Sequence, residues 1–203
     1  MGPPEVADKH GVLRAATDLK LDLGCGERKR GEEYLGVDVL DSPAVDLLGE
    51  ATEALGRLPA GSVACIFASH FLEHVDDLDG LLSEMARVVK PGGEVEIVVP
   101  HFSNPYFYSD PTHRRTFGLY SFSYFVARAP LKRQVPRYGR DLPFRLARVS
   151  LGFKSTPPFY GRHFFKRLFG LIFNSSRGLR EFYEENLCYL VPCYEVRFVL
   201  VRA

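Results

Sequence analysis

The sequence predicts an α/β fold built on a doubly wound, mostly parallel sheet, and three observations carry that prediction. Short apolar runs separated by turn residues recur through residues 20–99, the pattern of strands buried on both faces. An amphipathic helix stands between two of those runs. Polar residues collect where the runs end, at Asp38, Glu50, His70 and His101. In open α/β sheets the ligand lies outside the carboxyl ends of the strands.

Taken in order, residues 1–18 are weakly patterned, with room for one helical turn or two. Lys20 to Leu23 read as the first strand, Tyr34 to Val39 as the second, and Val45 to Leu48 as the third, closed by Gly49-Glu50-Ala51. The turn Pro59-Ala60-Gly61-Ser62 leads into a fourth strand, Val63 to Ala68. From Asp77 to Lys90, Leu78, Leu81, Leu82, Met85, Val88 and Val89 form one helical stripe. Asp76 and Asp77 suit the positive end of that helix, Arg87 and Lys90 the negative end, and Pro91-Gly92-Gly93 stop it. Glu94 to Val99 form the fifth strand, Arg145 to Lys154 the sixth, and Tyr194 to Val201 the last. Segments 101–143 and 157–192, aromatic and basic, stand after strands five and six as lid or substrate insertions.

The chain has 203 residues, which suits a single domain over 1–203, with 19–100 as its cofactor-binding half. A net charge of +1 offers no global attraction for nucleic acid or an anionic membrane. An arginine-rich stretch (Arg128, Lys132, Arg133, Arg137, Arg140, Arg145 and Arg148) suits an acidic substrate or a solvated face better than nucleic acid. No apolar run follows a basic start, and none approaches membrane-spanning length. Cys25, Cys65, Cys188 and Cys193 match neither a zinc site nor a disulfide framework, so a reducing cytoplasm is expected.

The most specific feature is Leu21-Asp22-Leu23-Gly24-Cys25-Gly26, followed by Gly36-Val37-Asp38. A strand, a glycine loop and a second strand ending in a carboxylate make a nucleoside site. A dinucleotide would need a third glycine, where Lys29 stands, and a helix to meet the pyrophosphate. Residues 27–35 are too few for an ordinary crossover helix with its turns. S-adenosylmethionine (SAM) carries no phosphate. It needs close backbone approach, which Gly24 and Gly26 permit, and a carboxylate for the ribose, which Asp38 supplies.

With Ser69-His70-Phe71-Leu72-Glu73-His74 and Arg87-Val88-Val89-Lys90-Pro91-Gly92-Gly93 in the same order, the chain resembles the class I SAM-dependent methyltransferases of the type 11 group, in a subgroup with an abbreviated first helix. The resemblance covers residues 19–100 and implies a Rossmann-like, seven-stranded sheet whose last strand is antiparallel. It implies that Asp22, Gly24, Cys25 and Gly26 face the methionine part of SAM and that Asp38 binds the ribose. Glu50 and Ala51 would hold the adenine, and His70 would line the cofactor. Relatives more often carry Asp where Glu50 stands, and Asp where Ala64 stands.

Methyl transfer from a sulfonium mainly requires nucleophile and carbon to be held in line, with a base for a hydroxyl acceptor. His113, with Asp110 three residues earlier to orient it, and His101 are the candidate bases. Phe102, Tyr106 and Tyr108 are candidate substrate contacts in an aromatic pocket. His101, Asp110 and His113 suit a metal by type, but nothing in the sequence makes them converge, and no metal is predicted. Glu73-His74 reads as capping and packing. Residues 161–173 predict a basic amphipathic helix, packing its apolar face over the site or against a second subunit rather than lying on a membrane. The expected activity is methyl transfer to a hydroxyl or amine of a small molecule, a secondary metabolite or sugar-derived intermediate. A displacement without methylation and a lipid-linked acceptor are the alternatives.

Overall fold

The computed structural model describes residues 6–203 apart from 16, 137 and 140. Its strands are β1 (Ala7–Asp8), β2 (Leu19–Leu23), β3 (Leu35–Asp38), β4 (Leu47–Leu48), β5 (Val63–Ser69), β6 (Val89–Pro100), β7 (Phe144–Gly152) and β8 (Glu195–Arg202). The α-helices are α1 (Ala51–Gly56), α2 (Leu78–Val88), α3 (Tyr160–Asn174) and α4 (Arg177–Asn186). Of the arginine-rich stretch, Arg137 and Arg140 lie outside the described residues.

All the strands join one sheet in the order β1-β4-β3-β2-β5-β6-β8-β7. Strands β2 to β6 are parallel, and β8 is antiparallel to both β6 and β7, which returns β7 to the common direction. The switch point falls between β2 and β5, where the chain has wound outward through β3 and β4 and crosses back. Among the described residues the sheet has eight strands rather than the expected seven. The addition is β1, antiparallel to β4 with Ala7 opposite Leu48. Two residues are too few to show a period. The strand is fixed instead by Val6, buried against Gly49, and by Lys9 N–H donating to Asp46 O at 3.0 Å.

The junction between α2 and β6 differs from the sequence reading. Helix α2 begins where Asp77 Oδ1 accepts the Gly80 amide at 2.9 Å, as its acidic start suggests, but it ends at Val88. Pro91-Gly92-Gly93 therefore does not stop the helix. It is a bulge inside β6, where the partners jump from Val63↔Val89 to Cys65↔Glu94 and Gly92 takes φ +77°. Helix α1 fills the short gap before β5, capped by Glu50. Leu21, Leu23, Ile66, Val95, Ile97 and Phe198 from the sheet are fully buried with Leu81, Leu82 and Met85 of α2, each worth roughly 1.5–3 kcal/mol. That packing fixes the ends of β2, β3 and β5 on which the site stands.

Helix α4 ties segment 101–143 to the sheet through two carboxylates. Glu181 Oε1 accepts from the Lys132 and Arg133 amides at 2.8 and 2.9 Å and from Tyr120 OH at 3.1 Å. Glu184 Oε2 accepts the Leu119 amide at 2.6 Å and meets His101 Nε2 at 3.0 Å.

Candidate functional site

The loop after β2 is held from below and from the side by two carboxylates. Asp22, buried in β2, accepts the Arg30 amide at 2.7 Å. Burial raises the Asp22 pKa, only partly opposed by the Arg30 amide and guanidinium. Asp38, last residue of β3, accepts the Gly26 amide on Oδ2 at 2.8 Å and the Leu40 amide on Oδ1 at 2.9 Å. Each Asp38 oxygen keeps a lone pair for a further donor. Gly24 and Gly26 both take positive φ, +69° and +58°. A methyl on Gly24 would lie 2.6 Å from the Phe71 ring, so that glycine is filled by protein. At Gly26 a methyl would meet nothing within 4 Å, so this backbone is open to an approaching ligand. Burial, then the charges of Asp22 and Asp38, push the Cys25 thiol up to about 11, so it stays protonated and inert.

Glu50 caps α1, its Oε2 accepting the Thr52 amide at 2.7 Å, and Ala51 is buried at the first turn. One Glu50 oxygen is therefore committed to the helix. His70 follows β5 in the left-handed region, φ +53°, a strained conformation for a residue with a side chain. Its Nε2 lies 3.4 Å from Glu195 Oε2 and its Nδ1 lies 3.4 Å from Glu73 Oε1. Those carboxylates, Glu195 first, outweigh burial and push His70 up to about 9. At neutral pH it is an imidazolium and cannot serve as a base.

The expected catalytic residues do not form one group. His101 is 0% exposed, with Nδ1 2.8 Å from Ser103 Oγ and Nε2 on Glu184, and its ring packs on Phe102 at 4.4 Å. No face is left for a substrate, so His101 is corrected to a structural residue that locks α4 onto the end of β6. Among the described residues His113 Nε2 makes no hydrogen bond, but Asp110 does not orient the ring. Nδ1–H donates to Phe107 O at 2.8 Å, while Asp110 Oδ2 stands 3.7 Å from Nε2. Asp110 Oδ1 instead closes its own turn, accepting the Thr112 amide and hydroxyl at 2.9 and 2.6 Å. Phe102 packs between His101 and Tyr189, and Tyr108 is exposed with its hydroxyl donating to Phe102 O.

Of the expected substrate contacts, Tyr106 lines a cavity of about 520 Å³ and Phe102 and Tyr108 do not. The cavity lies between residues 104–106, 154–155 and 190–194 and helix α3. Lys154, Arg162 and Lys166 supply three cations, and Phe165 and Phe169 supply apolar wall. Lys154 reaches Glu195 at 2.6 Å and lies over the Tyr194 ring at 4.5 Å, and that ring stands edge-on to His70 at 6.4 Å. The cavity and the end of β5 are thus one connected surface. Helix α3 is amphipathic, and within the chain its apolar stripe is covered only in part. Phe164, Phe165, Leu168, Leu171 and Ile172 are exposed, whereas Phe173 packs on Phe153 and Tyr183 and Phe169 stacks on Phe173.

The sequence reading missed Glu195, Lys154 and Lys166, and gave Glu73 only a packing role. A signal for Glu195 existed: an antiparallel last strand begins at the edge where the parallel strands end. Glu73 had none, since the segment that closes on its carbonyl, through the Arg114 and Arg115 amides at 2.8 and 3.3 Å, is distant in sequence.

Residues 21–97 match a family described as Methyltransferase domain. No curated protein sequence matches the chain. Among solved structures, a SAM-dependent methyltransferase from Archaeoglobus fulgidus is 19% identical, with 96% of this chain and 92% of that one covered and a TM-score of 0.57. The YcgJ protein from Bacillus subtilis is 16% identical over 94% and 95%, at 0.53. Phosphoethanolamine N-methyltransferase 2 from Haemonchus contortus, in complex with S-adenosyl-L-methionine, is 18% identical over 92% of this chain and 49% of that one, at 0.51. At these identities the likeness speaks for the fold.

Proposed function

From the premise that residues 21–97 are a class I SAM-dependent methyltransferase domain, with SAM as cofactor, we propose that the protein methylates a hydroxyl or amine of a small molecule carrying an anionic group. The observation that carries this reading is the open backbone at Gly26 beside Asp38, at the ends of β2 and β3 where the strand order switches. The donor set suits SAM: bare backbone for the methionine part and two carboxylate lone pairs for ribose hydroxyls. SAM supplies an activated methyl group, so the chain's own work is to bind, align and exclude water.

The acceptor's place is the cavity that continues from His70 through Tyr194 and Lys154. Its three cations suit a phosphate or carboxylate, and Phe165 and Phe169 suit an apolar body. Of the candidate bases, His113 keeps an uncommitted nitrogen, and an amine acceptor entering unprotonated needs none. Incubation with methyl-labelled SAM and a panel of hydroxyl and amine acceptors, with and without an anionic group, tests the proposal. Label should enter the anionic members preferentially. Product formed without label would favour a non-methylating displacement on the same fold.

One observation favours a lipid-linked acceptor as a second reading. Helix α3 exposes Phe164, Leu168 and Leu171 beside Arg162 and Arg167, the composition of a helix that rests in a membrane interface. Among the described residues no helix is long and apolar enough to cross a membrane. Flotation with anionic liposomes, lost in Phe164→Glu/Leu168→Glu, would support this reading.

A further inference from the structure

We propose that Glu73, His74 and His113 form a binding site for a divalent transition-metal ion of the zinc class. Glu73 and His74 come from the 3₁₀ turn Leu72–His74 after β5, and His113 from the segment whose amides close on Glu73 O. One ligand atom from each of the three lies within 4.8 Å of the other two. Tetrahedral zinc with bonds of about 2.0 Å needs separations near 3.3 Å, so side-chain movements of about an ångström complete the site.

Two independent features point to a cation. The first is the state of the rings. Thr112 gives its hydroxyl proton to Asp110 Oδ1 at 2.6 Å, so it accepts from His74 Nδ1–H at 2.9 Å. His113 Nδ1–H donates to Phe107 O at 2.8 Å, and its ring stacks on Phe107 at 4.7 Å and lies 4.9 Å from the His74 ring. Both imidazoles are therefore held in the tautomer that leaves the Nε2 lone pair available, by the kind of outer contacts that orient metal-bound histidines. The second is Glu73 itself. It is 0% exposed, and neither carboxylate oxygen has a hydrogen-bond partner among the described residues. His70 Nδ1, 3.4 Å from Oε1, is an ion-pair partner outside hydrogen-bond geometry, and it balances the charge from one side only. A fully buried carboxylate without hydrogen bonds is costly even beside His70, and a cation between it and two imidazole lone pairs lowers that cost.

Two nitrogens and one carboxylate suit zinc, cobalt, nickel or iron rather than magnesium or calcium, which prefer all-oxygen shells. Three protein ligands leave a position open for water or an acceptor oxygen. Metal and base are alternative uses of His113: with the ion bound, its nitrogen is a ligand and accepts no proton.

The test is titration of the chelator-treated full chain with Co²⁺ and Zn²⁺, without SAM, followed by ligand-field absorption and calorimetry. One equivalent of Co²⁺ should give a visible band that Zn²⁺ displaces and Mg²⁺ does not. His74→Ala, His113→Ala and Glu73→Gln should each weaken binding at least about tenfold, and Thr112→Val, which spares the ligands, about tenfold. His10→Ala should change nothing. Absence of a saturable signal in the wild type, or a signal unchanged in both His74→Ala and Thr112→Val, would overturn the site. Because SAM is absent, that failure leaves the methyltransferase reading intact.

Discussion

Asp38 accepts the Gly26 amide at 2.8 Å, so the last residue of one strand fixes the glycine loop of its neighbour. The same carboxylate accepts Leu40 N–H at 2.9 Å and thereby sets the exit of β3. Asp38→Ala removes two charge-assisted bonds at once and should destabilise the fold by about 1–3 kcal/mol. Asp38→Asn keeps a neutral acceptor and should recover part of that loss. Urea denaturation of the two variants beside the wild type checks the order.

Gly24 and Gly26 share a backbone conformation but not surroundings. Gly24→Ala combines positive φ with a methyl 2.6 Å from Phe71, whereas Gly26→Ala meets only the φ penalty of about 1–2 kcal/mol. Gly24→Ala should therefore be the more destabilising in thermal melts. Gly26→Ala should instead weaken SAM binding more than it weakens the fold.

Glu195 predicts an acid limb of stability. Burial alone would raise its pKa, but the bonds from His70 and Lys154 outweigh burial and hold it below 4.5. A carboxylate with a depressed folded pKa stabilises above its unfolded pKa, and the contribution is lost as pH falls through the folded value. Unfolding free energy should thus fall as pH drops below about 4.5. Glu195→Gln should flatten that limb while lowering stability at pH 7, and denaturant titrations at both ends of the range would show it.

Lys166 faces the cavity, its ammonium destabilised first by burial and then by Arg162. A bound anion offsets both. Lys166→Glu should raise KM for an anionic acceptor at least about tenfold, the scale of one lost charge-assisted bond, and leave SAM affinity unchanged. Steady-state kinetics with acceptor varied at saturating SAM would separate the two.

The cofactor half was legible because its signals are local. Strand, glycine loop and Asp38 lie within one stretch of sequence, and the buried strands announce themselves by apolar runs. Strand β1 was not legible, since two residues carry no period, and neither was the Pro91-Gly92-Gly93 bulge, which reads like an ordinary helix stop. His101 looked catalytic because strand ends usually face the ligand; only Glu184, 83 residues away, turns it into a clamp. The same holds for Glu73 and His113, whose meeting depends on a segment folding back onto the turn after β5. Long-range pairing of polar side chains leaves no trace in periodicity.

Calorimetric titration of SAM into the wild type and Asp38→Ala tests whether the loop after β2 and Asp38 hold SAM. One site per chain is expected, weakened at least about tenfold in the variant, consistent with loss of a charged hydrogen bond of about 1.5–3 kcal/mol. Equal affinity in the two proteins, or no SAM binding to the wild type, would contradict it.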